Sequence, residues 1–167
     1  MQIRIRATGQ VLLQHEWEKW VAQTYAKSLS GISEEAVNRF ESDIVFEGPQ
    51  ASGGTVYQYS QRDGVEQIDG KWYTKYILGP VFTDRAAEGD QPAQTAAEQE
   101  AAYKARKDAE QAKSMRETRT QLLKDCDWTQ IADSTADKTA WATYRQALRD
   151  ITGQTGFPWT ITWPESP

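Results

Sequence analysis

Cysteine and histidine are nearly missing: the 167 residues hold one of each, Cys126 and His15. An intrachain disulfide and a cysteine-based zinc site are therefore excluded, and a reducing compartment is expected. His15 sits beside Glu16 with no second histidine or nucleophile near it, so neither a catalytic nor a metal role is assigned. Cys126 lies between two aspartates, not the electropositive setting that lowers a thiol pKa, and reads as an inert small side chain. With no nucleophile, base and acid set, the chain is not expected to be an enzyme or to need a cofactor. Long apolar runs are lacking too. Nothing approaches the roughly 18 apolar residues of a membrane span, and MQIRIRATGQ has no signal-peptide core. A soluble, intracellular protein that uses no membrane is expected. An excess of positive charge is the last absence. The net charge is -5, with 8 basic and 11 acidic residues in 1–84 and 11 and 13 in 85–167, so neither half is built to attract nucleic acid. The basic stretch KARKDAEQAKSMRETR is broken by Asp108, Glu110 and Glu117 and carries no aromatic for stacking, as on a solvated helix face.

What the chain does have is aromatic bulk: seven Trp, seven Tyr and four Phe. These must carry the packing of an otherwise polar sequence with a mean hydropathy of -0.75. In the first half, QIRIR alternates as a half-buried strand does, and QHEWEKWVAQTYAKS repeats Trp17, Trp20 and Val21 at helical spacing, with Gly31 as a possible stop. Ser33 ahead of Glu34 and Glu35 marks a second helix start. From Ile44 to Phe82 the runs IVFEG, TVYQYSQ, VEQI and KWYTKYIL read as strands. They are separated by Gly-Pro, Ser-Gly-Gly, Asp63-Gly64 and Asp69-Gly70, and the Asp-Gly pairs signal hairpins. The expectation is an antiparallel, sandwich-like β-rich domain over 1–84. Tyr57, Tyr59, Trp72, Tyr73 and Tyr76 exceed what one small sheet needs, and Tyr and Trp favour interfaces, so these five are the candidate partner-binding residues.

After Asp84 the composition changes. Residues 85–93 read as a linker punctuated by Gly89 and Pro92, and 94–167 as a helical domain, giving an α+β protein. Gln94 to Lys124 lacks Gly and Pro and is rich in strong helix formers, which predicts one long helix. Its apolar stripe is thin: Ala102, Ala105, Ala109, Ala112 and Met115. Alanine buries little, so the stripe is read as an oligomerisation seam packed closely in a coiled coil; a solvated spacer helix is the other reading. A shorter helix in ADKTAWATYRQALRDI carries Trp141, Tyr144, Leu148 and Ile151 on one stripe, with Asp133 or Ser134 as cap, and completes an αα-hairpin.

The final twelve residues, GFPWTITWPESP, place Phe157, Trp159 and Trp163 among three prolines. A chain turning back at Gly156 would lay them across the hairpin as a lid, stiffened by Pro158 and Pro164. Trp128, Trp141, Tyr144, Leu148, Phe157, Trp159 and Trp163 are accordingly assigned to a core. The order and spacing of "DWTQ", "AWATYRQALRDI" and "GFPW…WP" resemble the C-terminal module of the tail-fibre assembly chaperones of tailed bacteriophages. That resemblance implies a protein that binds the distal part of a cognate tail fibre, protects it from aggregation, promotes its folding and trimerisation, and does no covalent chemistry. It implies the tail-fibre protein as partner, a homotrimer in a 3:3 complex, and action in the host cytoplasm during assembly. A structural fibre-tip cap or adhesin retained on the virion would need the same interface.

Overall fold

The computed structural model describes residues 1–27, 29 and 31–167, which divide into two compact units, Met1–Val81 and Phe82–Pro167. The fold is α+β, with a β-sheet unit followed by a helical one, as the sequence predicts.

The first unit contains β1 (Gln2–Ile5), β2 (Val11–Leu13), α1 (Gln14–Tyr25), α2 (Glu34–Arg39), β3 (Ser42–Phe46), β4 (Tyr59–Ile68) and β5 (Lys71–Gly79). Its single sheet has the order β2-β1-β3-β5-β4. Three pairings are antiparallel, but β3 and β5 run parallel through Val45–Trp72 and Phe46–Tyr73, so the sheet is mixed. A second sheet is not required for burial because α1 and α2 cover the β2–β1–β3 half. Ile3, Ile5, Trp17, Val21, Val37 and Phe40 form this core, with Ile44 packed against it. The Trp17 indole donates to Ser42 Oγ at 3.0 Å, and Ser42 Oγ donates to the Phe40 carbonyl at 2.9 Å, which satisfies both buried polar groups.

Local chemistry sets the helix ends. The Glu16 carboxylate accepts the Leu13 N–H at 2.8 Å at the start of α1, which ends on Ala26 in a left-handed conformation, five residues before the expected Gly31. Ser33 Oγ accepts the Ala36 N–H, as the sequence predicts for α2. Asp69 and Gly70, with φ of 49° and 77°, make the β4–β5 hairpin turn. Asp63-Gly64 makes no hairpin. It falls within β4, where the register with β5 shifts between Arg62 and Val65, so the left-handed Gly64 serves a bulge and the two expected strands fuse into one.

In the second unit α3 spans Ala96–Asp125 and α4 Lys138–Asp150, joined through a 3-10 turn at Asp127–Gln130. Thr95 and Glu98 cap α3 reciprocally: Glu98 N–H donates to Thr95 Oγ1 at 3.2 Å and Thr95 N–H to Glu98 at 2.8 Å. These hydrogen bonds hold the Glu98 carboxyl below its ordinary pKa. The cap of α4 is Asp137, which accepts the Thr139 and Ala140 N–H groups, in place of Asp133 or Ser134. Residues 85–94, most of them expected as linker, form a tight turn closed by paired Arg85 and Gln94 backbones at 2.8 and 2.9 Å. Asp84 accepts the Ala96 N–H, and Phe82 packs on Tyr103, which tie the turn to the start of α3.

Candidate functional site: a protein-docking surface in each unit

Strand periodicity sorts the five candidate residues of the first unit. Residues opposite one another in register share a face, and successive residues alternate. Ile3, Ile44, Phe46, Tyr73, Ile77 and Tyr59 therefore lie on the helix-bearing face, and Gln2, Arg4, Val45, Trp72, Thr74 and Tyr76 on the other. On that second face the sheet closes on its own side chains. The Arg4 guanidinium stacks on Trp72 at 4.0 Å and pairs with Asp43 at 3.5 Å. Arg62 donates to Gln2 across three strand spacings, and the Tyr76 hydroxyl to Glu47. The segment after β3 reaches the same face, where the Ala51 N–H donates to Ser60 Oγ at 3.0 Å and a Cβ on Gly54 would sit 2.9 Å from Leu78. At Gly48 a Cβ would sit 2.0 Å from the Thr74 carbonyl oxygen, so only glycine permits that close backbone approach beside β5.

The helix-bearing face differs in its other half, which β5 and β4 supply. Phe46 packs on Tyr73 at 5.7 Å and stays 40% exposed, while Ile68 is 41% and Tyr59 55% exposed. Of the five candidates, Tyr59 and Tyr73 thus lie on the open half-face. Trp72 and Tyr76 are engaged on the opposite face, and Tyr57 is half-buried in the connection before β4. Phe46 and Ile68 were missed by sequence reasoning. The signal lay in the parity of IVFEG and VEQI relative to the core residues Ile3 and Ile44. Beside Phe46 a cleft of about 360 Å³ opens, floored by Ser42, Ile44 and Val37 and rimmed by Arg6, Glu34 and Lys71. Arg6 is held there by Asp43 at 2.8 Å and Asn38 at 2.7 Å.

In the second unit the last residues fold back, as the lid reading expects. Trp163 packs against the cluster of Cys126, Tyr144 and Leu148, together with Leu122, Leu123 and Trp141. Gln154 fixes the return by accepting the Thr162 N–H and donating to the Thr162 carbonyl, both at 2.9 Å. Phe157 lies under the Arg116 guanidinium at 5.3 Å, and the Trp159 indole donates to Asp108 at 2.6 Å. Phe157, Trp159 and Trp163 are half-buried, and Tyr144 and Leu148 are buried. Burial is also what raises the Tyr144 pKa. Trp128 departs from the core expectation at 53% exposed: in the 3-10 turn Thr129 points inward, its hydroxyl donating to the Cys126 carbonyl at 2.7 Å, and Trp128 stacks edge-on over Trp141.

Cys126 is also not as isolated as its sequence neighbours imply. The Arg145 guanidinium donates to its sulfur at 2.9 Å, to the Leu123 carbonyl at 2.8 Å and to Asp127 at 2.8 Å. Burial opposes the charge on Arg145, yet the bonds to Asp127 and Cys126 prevail and raise its pKa. One side chain thereby closes the carbonyl end of α3 onto α4. The alanine stripe divides: Ala112 is buried and Met115 half-buried in the unit's own packing, whereas Ala102, Ala105 and Ala109 are exposed.

Groups of His, Cys, Asp and Glu able to hold a metal ion are absent among the described residues. No described helix is long and apolar enough to cross a membrane. Residues 112–167 match the family of phage tail assembly chaperone proteins. The match covers the end of α3, α4 and the aromatic return, the same elements that carry the resemblance in the sequence, and it supports a chaperone role in phage tail assembly. Comparison with curated proteins and with solved structures gives no match.

Proposed function

We propose that this protein is a tail-fibre assembly chaperone whose first unit grips the distal part of a cognate tail fibre and whose second unit self-associates. The observation that carries the reading is the match of residues 112–167 to phage tail assembly chaperones. The open half-face supports the placement of the grip: Phe46 and Ile68 are exposed near the half-buried Tyr73, Tyr59 is exposed toward the other end of β4, and exposed aromatic and aliphatic side chains favour partner contact. The task fits the physics of fibre tips. Intertwined β structures depend on long-range pairing, fold slowly and expose strand edges meanwhile. A partner that covers those edges and gathers three chains suppresses aggregation and promotes folding and trimerisation. The stoichiometry proposed is three chaperones to three fibre chains, in the host cytoplasm during assembly. Release follows from weaker binding to the finished fibre, a differential affinity that needs no nucleotide.

Co-expression with the cognate tail-fibre gene tests this reading. Soluble, trimeric fibre is expected with the chaperone and aggregated fibre without it. Equal yields of trimer in both cases would overturn the proposal.

A further inference from the structure

We propose that strand β4 is a docking edge, and that an extended strand of the client tail-fibre protein adds to the sheet along Val65–Ile68. The inference rests on the fibre-gripping reading and names the contact within it.

The two sheet edges differ in kind. The β2 edge is three residues long and runs directly into α1, which leaves little to pair with. The β4 edge is ten residues long and has neither Lys nor Pro, the residues that commonly blunt an edge. Its early charges are turned back onto its own sheet: Arg62 is taken by Gln2, and Asp63 by Lys75 of β5 at 3.2 Å. The bulge at Asp63-Gly64 then divides the edge and leaves Val65–Ile68 as a regular segment closed by the Asp69-Gly70 turn.

That turn fixes which backbone groups face outward. In a two-residue hairpin the closing pair, Ile68 and Lys71, is a hydrogen-bonded pair, and pairs alternate from there. Glu66 therefore bonds to Tyr73, while Val65 and Gln67 direct their N–H and C=O groups away from β5. Two donors and two acceptors at this spacing match the backbone of an extended strand. Ile68 and Tyr73 on the adjoining open face offer its side chains apolar contact. Charge decides against a second copy of this chain as occupant. The antiparallel self-pairing that would use both Val65 and Gln67 sets Glu66 opposite its own copy, and like charges directly opposite oppose pairing.

The test uses the full chain and the purified distal segment of the cognate tail-fibre protein. Gln67→Pro removes an outward N–H without touching the β4–β5 ladder. A variant with unchanged circular dichroism is expected to bind at least tenfold more weakly. Amide hydrogen exchange on the wild-type complex reads the same edge without substitution, and the Val65 and Gln67 amides are expected to slow at least tenfold on binding. Undiminished binding by the folded variant, or unslowed exchange in a formed complex, overturns the edge contact and leaves the fibre-binding reading standing. No binding by the wild-type chain overturns both. A chain that dimerises alone and is dispersed by Gln67→Pro assigns the edge to a second copy and overturns the client strand.

Discussion

The indole N–H of Trp159 donates to the carboxylate of Asp108, fifty-one positions earlier and about two-fifths of the way along α3. The bond anchors the aromatic return to the long helix at a point far from the α3–α4 junction, where Trp163 is packed. Hydrogen bonds to charged groups contribute about 1.5–3 kcal/mol, less where partly exposed. Asp108→Ala is therefore expected to lower the stability of the helical unit by about 1–2 kcal/mol. Truncation after Gly156, which removes all three aromatics, should cost about 3 kcal/mol or more. Urea unfolding followed by the helical circular dichroism signal measures both. Equal stability of truncated and full-length chains would show that the return adds nothing to the fold.

Arg145 offers a sharper contrast with its neighbour Arg149. Arg145 is buried and closes onto Leu123, Cys126 and Asp127, whereas Arg149 is exposed. Arg145→Ala leaves a carbonyl and a sulfur without their donor and opens space, for an expected loss of about 2–4 kcal/mol. Arg149→Ala should fall within about 0.5 kcal/mol of the parent. The same burial protects Cys126, so a thiol-specific reagent should label it only as the unit unfolds. Rapid labelling under native conditions would contradict this packing.

Much of this was legible because it is local. Ser33 caps α2 and Asp69-Gly70 turns a hairpin, each through bonds that reach only three residues. Asp63-Gly64 carries the same dipeptide and became a bulge. Glycine supplies the same positive φ in either setting, and only pairing with β5 on both sides distinguishes them. The parallel β3–β5 contact and the approach of Arg145 to Cys126 are set by the path of the chain, which spacing does not encode. The candidate grip was half legible for a related reason. Tyrosine and tryptophan enrichment identified β5, but only the register with Ile3 and Ile44 separates Tyr73 from Trp72.

That separation predicts different phenotypes for adjacent residues. Tyr73→Ala removes an open-face ring and is expected to weaken fibre binding by about 2 kcal/mol, as interface anchors do. Trp72→Ala removes the platform under Arg4 and should instead lower stability by about 3 kcal/mol. Titration calorimetry against the fibre, alongside thermal unfolding, distinguishes them. Loss of binding confined to a stable Trp72 variant would move the grip to the opposite face.

The start of α3 should withstand acid below the ordinary carboxylate range. The Glu98 pKa is lowered by its bonds to Thr95, so its stabilising contribution is present above the unfolded-state value of about 4.3 and is lost as pH falls through the folded-state value. The Thr95 amide resonance, followed by NMR, should titrate with a midpoint below about 4.3. A midpoint at or above it would mean that the reciprocal cap does not form.

The exposed part of the alanine stripe provides the test of self-association. Ala102, Ala105 and Ala109 lie exposed on α3 ahead of the buried Ala112, and small side chains allow another helix to approach closely. A closed threefold arrangement would match three gripping units to three fibre chains. Because Ala105 and Ala109 are exposed, replacing both with Glu should leave the folded chain intact and add helix-compatible charge to the stripe. In a trimer the same two substitutions would bring like charges together away from water, a cost that close helix packing cannot absorb. Light scattering of the fibre complex is expected to fall from three chaperones per fibre trimer to dispersed chaperone, with circular dichroism unchanged. An unchanged mass for the doubly substituted complex would assign the trimer contact to some surface other than this helix.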